Sequence, residues 1–209
     1  ENCYLKNSSV RQMCRDHAEK GLGGFVGGVS RRDTGGVSYY PEIKNCYVYN
    51  ADIVSGQMVP MGGFVGTVTY GGDIKFTNCY AANITSTISD TTHSTTTSTT
   101  YGFGYKSESV VAVNCYSTLP GTTGNHTCSD CVAPTYDSTK AFGVSGASKS
   151  DIVTAFKDSN FVISDDINNG YPHISFEKSA VERDFMVKSV QPEITTVEAN
   201  QYTVENSTT

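Results

Sequence analysis

Ile43-Lys44-Asn45-Cys46-Tyr47-Val48-Tyr49 and Ile74-Lys75-Phe76-Thr77-Asn78-Cys79-Tyr80 read as two versions of one strand. Both show the two-residue alternation expected of a half-buried strand. The tripeptide they share occurs four times, as Asn2-Cys3-Tyr4, Asn45-Cys46-Tyr47, Asn78-Cys79-Tyr80 and Asn114-Cys115-Tyr116. A second element lies between the copies. It reads Gly23-Gly24-Phe25-Val26-Gly27, then Gly62-Gly63-Phe64-Val65-Gly66, then a weaker Tyr101-Gly102-Phe103-Gly104, with Ala141-Phe142-Gly143-Val144 as a decayed fourth copy. Self-similarity on a scale of about 20–50 residues marks stacked structural units and is read before local propensity.

Stacking gives each repeated residue a physical reason. Equivalent residues on successive layers lie about 4.8 Å apart. Cys is small and readily buried, so Cys3, Cys46, Cys79 and Cys115 are expected to form an inward column. Alternation turns Asn2, Asn45, Asn78 and Asn114 outward as an amide ladder, with Tyr4, Tyr47, Tyr80 and Tyr116 beside them. The paired Gly supply positive φ or close backbone approach at corners, and Phe-Val supplies the apolar rung. The expected fold is all-β, a parallel β-solenoid with inserted loops and one or two short helices. The alternative is an antiparallel β-sandwich whose strands merely share composition.

The Gly-Gly-Phe-Val-Gly element followed by an Asn-Cys-Tyr strand resembles the GLUG motif of bacterial cell-surface proteins, including adhesins and non-catalytic regions of IgA-specific peptidases. The run from Phe161 to Ile174, with Asp165-Asp166-Ile167-Asn168-Asn169-Gly170-Tyr171-Pro172-His173, looks like the segment that often closes such arrays. The resemblance spans about residues 1–176. It implies a surface or adhesive role and brings no catalytic residues with it.

Composition agrees with strands and turns: 209 residues hold 20 Gly and 13 Tyr, no Trp, and only 17% charged side chains. A net charge of −6 excludes nucleic acid as a partner, which needs a basic stripe. No apolar run approaches the length that membrane insertion requires. The chain opens at Glu1 inside a motif, so a processed or partial chain is expected. Two domains are expected: a repeat-built unit over 1–178 and an extended tail over 179–209. Within the first, Ser9 to Lys20 has helical spacing, Asp151 to Asp158 suits one or two helical turns, and the Ser/Thr-rich run from Ile84 to Thr100 reads as a solvated loop or a glycosylation site. The tail alternates through Met186, Val187 and Val190, then Ile194 and Val197, then Tyr202 and Val204. It reads as a linker, or as a strand donated to the open edge of a neighbouring subunit.

Candidate chemistry is sparse. His126-x-Cys128-x-x-Cys131 could join Cys14-x-x-His17 around zinc. A disulfide involving Cys128, Cys131 or Cys14 explains the same residues with less, and seven Cys leave at least one outside any internal pair. No metal or cofactor is expected. Sequons at Asn7, Asn83, Asn125 and Asn206 are candidate N-glycosylation positions. Asp165 and Asp166 would face opposite sides of a strand, so they do not make a carboxylate pair and suit a turn better.

These readings lead to a non-catalytic extracellular structural or adhesion protein that contacts surface glycans or proteins. The alternative is a self-assembling filament subunit whose partner is another copy, joined head to tail through the C-terminal tail. A polysaccharide-processing β-helix enzyme is a distant third. Outward Tyr rings would suit carbohydrate stacking, and the plainer reading of them is packing beneath loops or neighbouring chains.

Overall fold

The computed structural model describes residues 1–12, 21–56, 59–69, 73–88, 99–122 and 136–177. Contacts divide the chain into one unit over residues 1–175 and a second over 176–209, nearly all of which lies outside the described residues. The strands are, in chain order, β1 (Tyr4–Gln12), β2 (Leu22–Gly23), β3 (Val26–Ser30), β4 (Arg32–Thr34), β5 (Val37–Tyr39), β6 (Glu42–Ser55), β7 (Met61–Gly62) and β8 (Val65–Thr69). They continue as β9 (Lys75–Ile88), β10 (Thr100–Tyr101), β11 (Gly104–Lys106), β12 (Val111–Ser117), β13 (Gly121–Thr122), β14 (Ala141–Phe142), β15 (Phe161–Val162) and β16 (His173–Ile174), with helix α1 (Lys149–Phe156) between β14 and β15.

Equivalent strands of successive repeats pair side by side. The first sheet, β1-β6-β9-β12, is parallel throughout. In the second, β2, β7 and β10 are parallel and β13 lies antiparallel on β10. In the third, β3, β8 and β11 are parallel and β14 lies antiparallel on β11. Two hairpins, β4-β5 and β15-β16, complete the set.

These pairings correct the expected fold. The chain does not build a parallel β-solenoid: its strands fall into several small sheets of mixed direction, none wider than four strands, with no closed solenoid. The decayed fourth repeat supplies the physical reason. Beyond the third copy, β13 and β14 return reversed on β10 and β11 instead of continuing the parallel rise. The antiparallel sandwich does not form either, because the longest strands pair in parallel.

Asn, not Gly, bends the long strands. Asn45 and Asn50 in β6, and Asn78 and Asn83 in β9, have φ between 51° and 54°, in the left-handed region. Asn tolerates that region better than other residues with a Cβ. The register passes over them, from Lys44↔Thr77 to Cys46↔Cys79 and from Tyr49↔Ala82 to Ala51↔Ile84. Each bend therefore adds a residue to the alternation. Ile43, Cys46, Val48, Ala51 and Ile53 face one core at steps of three and two, and Phe76, Cys79, Ala81 and Ile84 repeat the pattern.

That core is shared by all three larger sheets, with Cys46 and Phe76 from the first, Met61 from the second, and Val65 and Val68 from the third. A second core lies on the other face of the first sheet, where Tyr47, Tyr80 and Ala82 meet Ile152 and Phe156 of α1, Phe161 and Ile174. The Gly-Phe element works by close approach. A Cβ on Gly66 would lie 2.3 Å from the Gly27 carbonyl oxygen and 2.4 Å from the Gly21 carbonyl carbon, so no side chain fits.

Local expectations fare unevenly. Ser9 to Gln12 belongs to β1 rather than to a helix, and residues 13–20 lie outside the described set. Residues 84–88 extend β9, and Thr99 and Thr100 are buried, so the ends of the Ser/Thr run belong to the fold. The helix expected over 151–158 forms two residues earlier. Ser148 caps it, and Asp151 returns the bond to the Ser148 N–H at 2.9 Å as a capping box.

Candidate functional site

Columns of identical side chains run across the layers. Asn45 donates through Nδ2 to Asn2 Oδ1 at 3.1 Å, Asn78 to Asn45 at 3.1 Å, and Asn114 to Asn78 at 3.0 Å. A second amide column runs parallel to it, with Asn50 donating to Asn7 at 2.8 Å and Asn83 to Asn50 at 2.7 Å. Every one of these seven Asn is left-handed. The conformation that bends the strand thus also aims the amide along the stack. Sequence reasoning missed the second column. Its signal is the hexapeptide Asn-Cys-Tyr-x-x-Asn at 2–7, 45–50 and 78–83, broken by Leu119 in the fourth copy.

The Cys column faces the shared core. Cys46 pairs with Cys79, and Cys79 with Cys115, in register. All four thiols are free; Cys46, Cys79 and Cys115 are buried and Cys3 is exposed. Each points its Sγ back to the carbonyl two residues earlier: Glu1, Lys44, Thr77 and Val113. The hydrogen bond with Cys115 pushes the Cys79 thiol up to about 12; the bond with Cys46 opposes this and burial adds to it. Cys46 is raised too, chiefly by its bond with Cys79 and then by burial. Protonated buried thiols pack and do not attack.

The aromatic columns are equally regular. Tyr4, Tyr47 and Tyr80 stack at 5.2 and 5.1 Å between centroids with ring planes within 7°. Phe25, Phe64 and Phe103 stack at 4.7 and 4.9 Å, whereas Phe142 meets Phe103 edge-on at 5.4 Å. Tyr47 and Tyr80 are not an outward stripe. Phe156 lies edge-on against Tyr80, Phe161 packs on both rings, and the Tyr80 hydroxyl donates to the Pro172 carbonyl. Tyr116 is half-buried against Phe156. The C-terminal segment from α1 to β16 is the cover of this face.

Compared with family models, with curated proteins and with solved structures, the chain matches none. The likeness to GLUG repeats rests on the motifs alone.

The remaining candidates scatter. Asn7 and Asn83, the two described sequons, are members of the second amide column, and the Thr85 hydroxyl of the Asn83 sequon donates to Asp52. Asn125 and Asn206, the possible disulfide residues Cys14, Cys128 and Cys131, the zinc candidates His17 and His126, and the tail residues Met186, Val187, Val190, Ile194, Val197, Tyr202 and Val204 lie outside the described residues. Asp165 and Asp166 are exposed in a turn, and the Asp166 N–H donates to Ser164 Oγ. His173 is buried on β16 and meets the Ile174 carbonyl. Among the described residues no three His, Cys, Asp or Glu converge as metal ligands, and no helix is long and apolar enough to cross a membrane.

Two surface features could meet a partner. A groove of about 450 Å³ runs between β12 and α1, lined by Tyr116, Val144, Ser150, Asp151, Thr154 and Ala155. The β4-β5 hairpin presents Val37, Tyr39 and the adjacent Tyr40, all exposed. It turns on Gly35 and Gly36, both at positive φ, as a two-residue hairpin requires. Ser38 Oγ donates to Asp33 Oδ1 at 2.6 Å and Arg31 pairs with Asp33 at 3.2 Å, which together lower the Asp33 carboxyl below its ordinary value. The hairpin is thereby stapled beneath its apolar ridge.

Proposed function

We propose that the chain is a non-catalytic scaffold of an extracellular protein, a repeat segment of a cell-surface stalk or adhesin that contacts glycans or proteins and needs no cofactor. One observation carries this reading: the recurring Asn, Cys, Tyr and Phe are used on one another, layer against layer. Residues occupied in this way specify a rigid support, and contact with partners falls to what the support displays. The stapled hairpin with Val37, Tyr39 and Tyr40 is the leading contact surface, since exposed aromatic rings with wet hydroxyls suit sugars and protein surfaces alike.

Binding of the purified chain to immobilised glycans and to extracellular-matrix proteins tests this reading. Replacing Tyr39 and Tyr40 together by Ala is expected to abolish the captured signal while leaving the unfolding midpoint in place. Polysaccharide cleavage by the chain would contradict it.

A second reading, a filament subunit joined head to tail through its tail, is favoured by the end of the stack at β1. There Asn2, Cys3 and Asn7 are exposed. Electron microscopy separates the two: particles of one chain fit a scaffold segment, and extended polymers fit a filament subunit.

A further inference from the structure

The β4-β5 hairpin has two faces of different chemistry. Its register, Arg32↔Tyr39, Asp33↔Ser38 and Thr34↔Val37, puts cross-strand partners on one side and alternates the sides along each strand. Asp33 and Ser38 therefore share a face, where the Ser38 hydroxyl and the Arg31 guanidinium both donate to the Asp33 carboxylate. Arg32, Thr34, Val37 and Tyr39 share the other. All four are exposed, and among the described residues their side chains have no hydrogen bond, ion pair or ring contact. The hairpin thus sorts its charges. The carboxylate that would repel an anion is compensated on the first face. The second face holds a guanidinium with no counter-charge, beside an aromatic ring, a Val and a hydroxyl. The chain as a whole has a net charge of −6, yet residues 31–40 hold two Arg against one Asp.

Folding does not account for the second face. A hairpin of two three-residue strands is marginal by itself, and every residue of both strands is exposed, so neither face is packed. Its shape is fixed by the Gly35-Gly36 turn and by the Asp33 staple, which hold the opposite face ready for a ligand. We propose that this face binds acidic glycans, chains of sugars with a carboxylate on the ring. Tyr39 stacks on the apolar side of the pyranose, and Arg32 holds the carboxylate of the same sugar. Cross-strand neighbours have Cβ atoms about 4.5–5.5 Å apart, the scale of one sugar ring. The planar guanidinium fork meets a carboxylate through two parallel hydrogen bonds. The Tyr ring is apolar with a wet hydroxyl, as sugar stacking requires, and the Thr34 hydroxyl is placed for a sugar hydroxyl. An acidic peptide carries its carboxylates on flexible arms and brings no ring face, which leaves Tyr39 unused. A densely sulfated glycan is matched by several cations, and this face offers one.

The inference rests on the reading of the hairpin as the contact surface, and one set of titrations separates the two. The full chain is titrated by calorimetry with oligomers of two polyuronates, polygalacturonate and alginate, and with methyl-esterified polygalacturonate, dextran sulfate and poly-glutamate. Expected is polyuronate binding that weakens as salt rises. Methyl esterification, which keeps the ring and removes the charge, weakens it about tenfold. Arg32→Gln weakens it about tenfold or more, as loss of a charged hydrogen-bonded pair does. Arg32→Lys recovers part of the loss, because it keeps the charge without the fork. Lys157→Gln, which removes the same charge from an exposed position at the end of α1, leaves binding unchanged. Polyuronate binding that ignores Arg32→Gln overturns the inference, as does tighter binding of dextran sulfate or poly-glutamate. If neither polyuronate binds while the joint Tyr39 and Tyr40 variant loses capture of a neutral glycan or a protein, the hairpin stays the contact surface and the acidic ligand is removed. If no ligand is lost in that variant, both fall.

Discussion

The first layer and the two that follow it carry the same tripeptide and give it different surroundings. Tyr4 is 37% exposed, whereas Tyr47 and Tyr80 are wholly buried; Cys3 is exposed, whereas Cys46 and Cys79 are sealed. Asn2 joins one amide bond of its column, and Asn45 joins two. The motif therefore fixes the direction of each side chain, and neighbouring layers fix what that direction is worth. Identical residues should differ in energy according to layer.

The aromatic column offers the widest contrast. Tyr80→Ala should cost about 3–5 kcal/mol in urea unfolding, the range for large buried aromatics, while Tyr4→Ala should cost well under half of that. Equal losses would break the comparison. The amide column comes next. Asn78→Ala forces Ala into the left-handed region and removes two ladder bonds, for a cost of about 2–3 kcal/mol. Asn78→Gly keeps the backbone conformation and should recover roughly half of that loss. Asn2→Ala should cost the least of the three.

The thiols sharpen the same contrast through pH. An unfolded thiol ionises near 9.0, and that of Cys79 in the fold only near 12. Above pH 9 the unfolded chain loses the proton first, so stability is full below pH 9 and declines as pH rises toward 12. Cys79→Ala should flatten that decline, whereas Cys3→Ala should leave it in place. Native alkylation at pH 8 should label Cys3 and spare Cys46, Cys79 and Cys115. The smallest effect belongs to the cover over the buried Tyr rings: Ser148→Ala removes the α1 cap for about 1 kcal/mol.

Much of the layering was legible, because Asn-Cys-Tyr and Gly-Phe pair with their own copies in register. The inward Cys column and the amide ladder were readable from alternation and side-chain chemistry. Packing of the Tyr beneath other segments was the plainer reading, but what covers them was not legible, since Tyr47 and Tyr80 face away from the shared core and are hidden by α1 and β15, roughly 70–110 residues later in sequence. Alternation also gave no hint of the left-handed Asn, because period-two reasoning has no place for a residue that adds a step. Asn50 and Asn83 were therefore overlooked as column members, and of the two roles expected of the Gly pairs, positive φ or close approach, only close approach holds. The solenoid failed at Ala141-Phe142-Gly143-Val144, which keeps the recurring Phe while β14 runs antiparallel to β11: a recurring ring does not fix strand direction. Ser9 to Gln12 had helical spacing yet lies in β1, where pairing with β6 overrides local preference.

The central claim is that left-handed Asn residues join the layers through two directed amide columns. Side-chain amide NMR on the intact chain tests it most directly. The account predicts nuclear Overhauser contacts along Asn2–Asn45–Asn78–Asn114 and Asn7–Asn50–Asn83, with positive φ at each and slow amide exchange at Asn45 and Asn78. Extended backbone at these Asn, with no contact between their amides, would contradict it.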